Sequence, residues 1–353
     1  FGLHSMTFSS GKSTVFIDPY TEDRLHYIVY QKSDLVGGVT NFECLTDEAL
    51  SLPSSALDRN AFDYSIFNTD DNTLRTYRLA QSCTAEYGNI FAGAGTLAQQ
   101  KANIQAQMTI TMTRVNGVYE IDLGITMIFV ANNDAVIYLG DVNLDPWVSE
   151  WNTKTAQTLD SVIGVNNYDI GHNFNTTGGG NAGCIACVCK AVSQSGAHKG
   201  RGYTGRSNPT GDAFDIDYVA HEMGHQFGGY HTQSNSSCRS GSGLTEVEPG
   251  SASTIMGYAG ICAANVQSNS DAYFAYVNVR DIMAYVKSGT GSCSVNTPIS
   301  NQTPAVEAGL NYTIPKSTAF VLTAVGSDPD NDVLTYTWEQ NDDVAGNTNA
   351  NSA

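Results

Sequence analysis

The most informative stretch of the sequence is His221-Glu222-Met223-Gly224-His225-Gln226-Phe227-Gly228-Gly229-Tyr230-His231. On an α-helix, the spacing of His221 and His225 places both imidazoles on one face, one turn apart, where they can bind a single metal ion. The two adjacent glycines are expected to end the helix, because glycine adopts the left-handed conformation at little cost, and the turn returns His231 as a third ligand. Three neutral imidazoles with one open coordination position are typical of catalytic zinc.

The helix that carries this motif is predicted from its periodicity. Its apolar face lies opposite the histidines, so one side is expected to pack into a core while the other faces a cleft. Glu222 can reach a water molecule in the open position of the metal, and Asp212 or Asp215 could cap the helix. A chance match on a polar surface helix is the alternative, and the length of the motif argues against it. The apolar face consists of Ile216, Val219, Ala220, Met223 and Phe227.

A second stretch, Ser253-Thr254-Ile255-Met256-Gly257-Tyr258, follows the histidine motif. The long histidine motif together with a turn that carries a methionine resembles the metzincin clan of zinc endopeptidases. Within that clan, the sequence is similar to reprolysin-like (adamalysin-like) bacterial secreted peptidases, on the strength of His-Glu-Met-Gly-His, the run Glu248-Pro249-Gly250 and Cys262. One departure is that adamalysins usually carry aspartate after the third histidine, where this sequence has Thr232.

The resemblance implies an α+β fold, in which a metzincin catalytic domain has a twisted mixed sheet and an active-site helix. It implies a zinc endopeptidase in which His221, His225 and His231 bind zinc and Glu222 is the general base. It places Met256 beneath the metal as a packing residue. Tyr258 would be a resting zinc ligand or would stabilise the oxyanion, and the alternative is that it is a core aromatic residue.

Changes in composition and the resemblance together predict three parts of the chain. Residues 1–72 are expected to be the C-terminal part of a propeptide, with strands at 14–20 and 26–30, and residues 73–295 to be the catalytic domain. Residues 296–353 are similar to the first half of an immunoglobulin-like β-sandwich, with strands at 319–323 and 334–338. Between those two strands, Asp328, Asp330 and Asp332 could bind calcium or form a plain acidic turn.

Within the catalytic domain, hydrophobic periodicity predicts the main elements. Helices are expected at 97–115, 147–163 and 279–286, and strands begin at 76, 124 and 168. The segment Cys184–Cys189 precedes the active-site helix. The resemblance makes it the strand at the upper rim of the cleft, which pairs with extended substrates, and the alternative is an ordinary edge strand. His172 is interpreted as a structural histidine.

The chain has eight cysteines, and an export context would make several of them disulfides. The predicted pairs are Cys238 with Cys262, which bracket the turn at Met256, and Cys189 with Cys293. The partners of Cys83, Cys184 and Cys187 are left open, and Cys184-x-x-Cys187-x-Cys189 could instead be a metal or redox motif. By resemblance to reprolysin-like zymogens, Cys44 is predicted to be a temporary fourth zinc ligand, and its alternative fate is a disulfide.

Composition limits the partners of the protein. With 35 acidic and 17 basic residues, the net charge of −18 argues against nucleic acid as a partner and leaves carboxylates for calcium. No apolar run is long enough to span a membrane. The chain starts at Phe1 without an apolar leader, so we expect a piece of a longer, secreted precursor. Protein substrates and the chain's own propeptide are the predicted partners; the alternatives are a zinc hydrolase of non-peptide substrates and a binding protein with an inactive site.

Overall fold

A computed structural model of the chain describes residues 5–7, 15–21, 23, 25–34, 43–47, 68–235, 238 and 245–341. The strands are β1 (Ser5–Thr7), β2 (Val15–Pro19), β3 (Tyr27–Gln31), β4 (Thr73–Cys83), β5 (Ile125–Phe129), β6 (Ile170–Asn175), β7 (Gly179–Asn181), β8 (Gly202–Gly205), β9 (Val295–Pro298), β10 (Ala305–Glu307) and β11 (Val325–Ser327). The helices are α1 (Ala85–Phe91), α2 (Leu97–Leu123), α3 (Trp151–Leu159), α4 (Asp212–Phe214), α5 (His221–Phe227) and α6 (Tyr276–Ser288).

A mixed sheet of six strands is the framework of the central part of the chain. Its order is β5-β4-β6-β8-β7, and β9 pairs with the start of β4. Strands β5, β4, β6 and β8 run parallel to one another. The two remaining strands are antiparallel to the strands they pair with, β7 to β8 and β9 to β4. The prediction of a twisted mixed sheet in this part of the chain is therefore confirmed as to its mixed topology, and the predicted domain boundary after residue 295 falls inside β9.

The two faces of this sheet bury different helices, because successive strand residues point to opposite sides. Leu79 of β4 belongs to the large core that includes α2, the active-site helix and α6. Its neighbour Ala80 packs on the other face with Leu159 of α3. The helix that carries the histidine motif thus shares one core with Leu79 of β4.

The predicted helices form, with different ends. The first was expected to stop at Val115 but continues to Leu123, where Gly124 ends it in the left-handed conformation at φ 59°. The second begins at Trp151 rather than Trp147 and continues into a π-helical turn at Asp160–Gly164. Trp147 lies before that helix and donates a hydrogen bond from its indole to Thr155, at 2.9 Å. Capping and tertiary contacts, which periodicity does not report, set these ends.

The N-terminal part forms a separate antiparallel sheet of β1, β2 and β3, which confirms the two strands predicted there. This sheet contacts α2 through Arg114, whose guanidinium pairs with Asp18 at 2.7 Å and lies 4.5 Å from the ring centroid of Phe16. Residues 48–67 of this part lie outside the described residues. A partly buried ion pair thus connects the N-terminal sheet to α2.

The C-terminal part differs from the prediction. The predicted strands at 319–323 and 334–338 are not formed, and the strands present are the short antiparallel pair β10 and β11. Apolar side chains here are exposed, including Val321 at 86% and Val333 at 94%. Alternating apolar residues indicate a strand only when a second layer covers them, and residues 299–341 supply none. An immunoglobulin-like sandwich and a calcium site remain predictions; Asp328, Asp330 and Asp332 have carboxylate oxygens within 4.8 Å of one another.

Three disulfides join the described cysteines. Cys238–Cys262 and Cys189–Cys293 confirm the two predicted pairs. Cys184 pairs with Cys187 and Cys189 is bonded to Cys293, so the alternative of a metal site formed by these three cysteines is wrong, whereas a redox role stays a prediction. Cys44 and Cys83 are buried free thiols. This pattern fits an extracellular protein that folds in an oxidising compartment. Among the described residues, no helix is long and apolar enough to cross a membrane.

Candidate metal centre

The active-site helix is built from three consecutive segments, α4, a π-helical stretch at Asp215–Ala220, and α5. Its predicted apolar face is completely buried. The predicted capping by Asp212 or Asp215 is wrong, because Gly211 precedes the helix and both carboxylates face Arg114, at 3.0 and 3.6 Å. Arg114 is largely buried, and its guanidinium offers charge-assisted contacts to both carboxylates.

Glycines fix the end and the close packing of this helix. Gly228 ends it with φ 110°, as predicted, and so turns the chain towards His231. Gly224 lies between the two helical histidines, where a Cβ atom would come within 2.5 Å of the sulfur of Met256. Met256 is fully buried. Glycine at position 224 therefore allows the methionine turn to pack directly beneath the histidines.

The three predicted histidines converge through their Nε2 atoms. His231 Nε2 lies 3.2 Å from that of His221 and 3.1 Å from that of His225. The outer nitrogens of two rings donate to backbone carbonyls: His221 Nδ1 to Ile255 at 2.7 Å and His225 Nδ1 to Gly229 at 2.7 Å. A carbonyl only accepts, so these rings carry their proton on Nδ1 and turn the Nε2 lone pair inward.

This donor set fits zinc. Tetrahedral zinc with Zn–N of about 2.05 Å requires nitrogen atoms about 3.3 Å apart, close to the spacing of the three histidines. Burial, and then the neighbouring His231, lower the pKa of His221 to about 3, which keeps this ring neutral and able to act as a ligand. Three inward lone pairs at such short separations repel one another without a cation between them. The residues present therefore match a His₃ metal site.

Cys44 lies at the same centre. Its sulfur is 3.6 Å from His225 Nε2, and its ligand atom lies within 4.8 Å of those of all three histidines. A tetrahedral zinc ion with Zn–S of about 2.3 Å requires a sulfur-to-nitrogen distance of about 3.6 Å. Burial, and then the nearby Glu222, raise the pKa of the Cys44 thiol well above its usual value, whereas a metal cation would act in the opposite direction.

Glu222 is completely buried beside the histidines, and burial raises the pKa of its carboxyl group to about 8. Its Oε2 accepts a hydrogen bond from the hydroxyl of Thr46 at 3.1 Å, and this hydroxyl in turn accepts from Ala182 N–H at 2.8 Å. A Cβ atom on Gly180 would lie 2.6 Å from the Glu222 side chain. Glycine at 180 therefore leaves the space that the carboxyl group occupies.

Tyr258 borders the same space. Its ring centroid is 4.7 Å from that of His231 and 5.8 Å from that of His221. Its hydroxyl lies 3.5 Å from the carbonyl oxygen of Cys44. The side chain is thus in the cleft next to the histidines, and its hydroxyl faces the N-terminal segment.

The strand at the rim of the cleft is β7, not the predicted segment Cys184–Cys189. That segment is a series of turns because the disulfide between Cys184 and Cys187 and the positive φ of Ala186 and Cys189 prevent an extended chain. β7 pairs on its open side with residues 43–45, in parallel, through Gly180 N–H to Glu43 at 3.0 Å and Leu45 N–H to Gly180 at 2.9 Å.

A comparison with known families agrees with this geometry. The model of the family described as Metallo-peptidase family M12B Reprolysin-like matches residues 73–288. This chain belongs to that family. No curated protein matches the chain. Membership in the M12B reprolysin-like family implies a metallopeptidase, and the matched residues begin where β4 begins. The centre described above is therefore the candidate active site of a peptidase that typically binds zinc.

The structure brings together every site residue predicted for this M12B peptidase: His221, His225, His231, Glu222, Tyr258 and Cys44. Sequence reasoning missed Thr46 and Glu248. Glu248 was noted only as part of a similar run, and its carboxylate receives the hydroxyl of Thr232 at 2.6 Å. Thr46 stands two residues after Cys44, and only the pairing with β7 reveals that its side chain faces Glu222. His172 is structural as interpreted, with Gln226 and Thr204 each at 2.8 Å.

Proposed function

We propose that the protein is a secreted zinc endopeptidase that hydrolyses extended peptide segments. The convergence of three Nε2 atoms beside a buried glutamate is the observation that supports it most directly. His221, His225 and His231 would hold the ion. When bound, zinc lowers the pKa of a coordinated water to roughly 7 and polarises the scissile carbonyl.

The remaining chemistry belongs to residues of the chain. Glu222, which follows His221 on the helix, accepts a proton from the attacking water and transfers it to the leaving amine. Tyr258 hydrogen-bonds to the oxyanion through the hydroxyl that faces the cleft. β7 offers backbone groups to an extended peptide, so substrate is held by main-chain pairing that tolerates many sequences.

We also propose that residues 1–72 keep the enzyme latent. Three contacts support this role. Cys44 occupies the fourth position around the histidines, Thr46 binds the general base, and residues 43–45 occupy the edge of β7 on which a substrate would pair. The ion pair of Asp18 with Arg114 attaches the same segment to α2 at a second place, outside the cleft. Removal of the segment would expose all of these groups together.

A peptide-library digest tests the proposed activity. Full-length protein is processed at its N-terminal part, incubated with a mixed peptide library with and without chelator, and compared with Glu222→Gln, which leaves the three ligands intact. We expect cleavage that requires zinc and is lost in Glu222→Gln although bound zinc is retained. Equal cleavage by both proteins would reject Glu222 as the base, and absence of cleavage by a zinc-loaded, processed protein would favour a non-peptide substrate or a binding protein.

A further inference from the structure

We infer that Glu248 is a positioning residue that holds two of the three histidines in ligand geometry. The inference rests on the proposed metal centre, because it concerns how the chain orients that centre. Glu248 itself does not reach the histidine rings. It acts through Thr232, which follows His231 in the chain, and through Thr254. Thr254 precedes Ile255, whose carbonyl accepts a hydrogen bond from His221.

The carboxylate of Glu248 accepts hydrogen bonds on both oxygens. Oε2 receives the hydroxyl of Thr232 at 2.6 Å and the hydroxyl of Thr254 at 2.5 Å. Oε1 receives the backbone N–H of Ser253 at 3.0 Å and that of Thr254 at 3.2 Å. Hydrogen bonds to an ionised acceptor are about twice as strong as neutral ones, so this carboxylate ties two separate segments firmly together.

The first segment carries His231. Thr232 is fully buried and follows it directly, and its carbonyl accepts the backbone N–H of Glu248 at 3.0 Å. The hydroxyl of Thr245 donates to the carbonyl of His231 at 2.6 Å. His231 leaves the active-site helix after the glycine turn, so its position depends on these contacts rather than on helical hydrogen bonds.

The second segment orients His221. Thr254 precedes Ile255, whose carbonyl accepts the Nδ1 proton of His221 at 2.7 Å. That hydrogen bond sets the tautomer and the plane of the ring, and such outer contacts tune metal binding. Because Glu248 binds both the hydroxyl and the N–H of Thr254, it fixes the turn from which this carbonyl projects. One carboxylate therefore connects the supports of two ligands.

This arrangement also accounts for Thr232. Similar peptidases usually carry a negative charge immediately after the third histidine, and here the charge is on Glu248, 2.6 Å from the threonine hydroxyl. The pair Thr232 and Glu248 thus places a carboxylate beside the methionine turn without an acidic residue next to His231. Five donors share the carboxylate, because the hydroxyl of Ser253 also donates to Oε1, at 3.4 Å.

The test compares Glu248→Ala and Glu248→Gln with Asp271→Asn, which removes an exposed charge from the segment paired with the methionine turn. Zinc affinity of the full-length chain is measured by chelator competition, and the ligand field by the visible spectrum after cobalt substitution. We expect Glu248→Ala to weaken zinc binding about 10–100-fold and to alter the cobalt spectrum. Glu248→Gln keeps an oxygen for the two N–H groups and should lie between, and Asp271→Asn should match the wild type.

A charge-relocation variant, Thr232→Asp combined with Glu248→Ala, should recover part of the lost zinc affinity, which a merely structural role would not predict. In processed enzyme, Glu248→Ala and Glu248→Gln should lower kcat with little change in KM. Unaltered zinc affinity and cobalt spectrum in folded Glu248→Ala would overturn the inference, and if that variant does not fold, the same result for Glu248→Gln would do so. If the wild type itself bound no zinc, the proposed metal centre would be wrong instead.

Discussion

Replacing Thr46 by valine tests whether the N-terminal segment keeps the enzyme latent through a contact other than that of Cys44. Thr46 is 2% exposed, and its hydroxyl both donates to Glu222 at 3.1 Å and accepts from Ala182 N–H at 2.8 Å. Thr46→Val keeps the shape of the side chain but leaves a buried carboxylate and a buried N–H without this partner. Losing such contacts costs about 3 kcal/mol, or about a hundredfold in the equilibrium between closed and open cleft.

Two assays on the unprocessed protein report this equilibrium. The initial rate of cleavage of a fluorogenic peptide measures the open fraction, and the rate at which a thiol reagent modifies Cys44 measures opening without requiring activity. We expect both rates to rise about a hundredfold in Thr46→Val. Leu45→Ala is the control, since the Leu45 side chain is 50% exposed and should change neither rate appreciably. Thr46→Val that is as latent and as slowly modified as the wild type would refute the reasoning.

Three further outcomes are expected. Gly180→Ala should abolish proteolysis but retain zinc, because the added Cβ would lie 2.6 Å from the Glu222 side chain; activity near that of the wild type would contradict this. Tyr258→Phe should slow turnover about 10–1,000-fold with unchanged zinc content, and identical kinetics would make Tyr258 a packing residue. Burial lowers the pKa of His172 to about 4. Between pH 6.5 and pH 4, the imidazole is therefore protonated in the unfolded chain but neutral in the folded one, which destabilises the wild type as the pH falls. Urea unfolding should show that the stability of the wild type relative to His172→Gln decreases by up to about 3 kcal/mol from pH 7 to pH 4.

The metal ligands could be predicted because their geometry is local. His221 and His225 are one helical turn apart, and Gly228 adopts the left-handed conformation that returns His231. Such short-range relations depend on backbone preferences that each residue carries by itself. The disulfides around the site followed from the same motif, because Cys238 and Cys262 lie on either side of the methionine turn.

The contacts that depend on long-range pairing could not be predicted. Thr46 reaches Glu222 only because residues 43–45 pair with β7, and nothing in the sequence specifies that register. The resemblance places the rim strand at Cys184–Cys189, a few residues after β7, because it does not include the turn that the Cys184–Cys187 disulfide imposes. The local sequence predicts that Asp212 or Asp215 caps the helix, because it does not reveal Arg114, which binds both carboxylates from about a hundred residues away in the chain.

Zinc K-edge X-ray absorption of the unprocessed protein tests the central claim most directly. The three histidines and Cys44 lie at distances that suit one tetrahedral ion, so the account predicts one zinc per chain with three nitrogen ligands at about 2.0 Å and one sulfur at about 2.3 Å. The Cys44→Ser protein should keep the nitrogen shell and lose the sulfur. A zinc ion without a sulfur ligand in the wild type would contradict the role of Cys44, and a protein without zinc at His221, His225 and His231 would contradict the account as a whole.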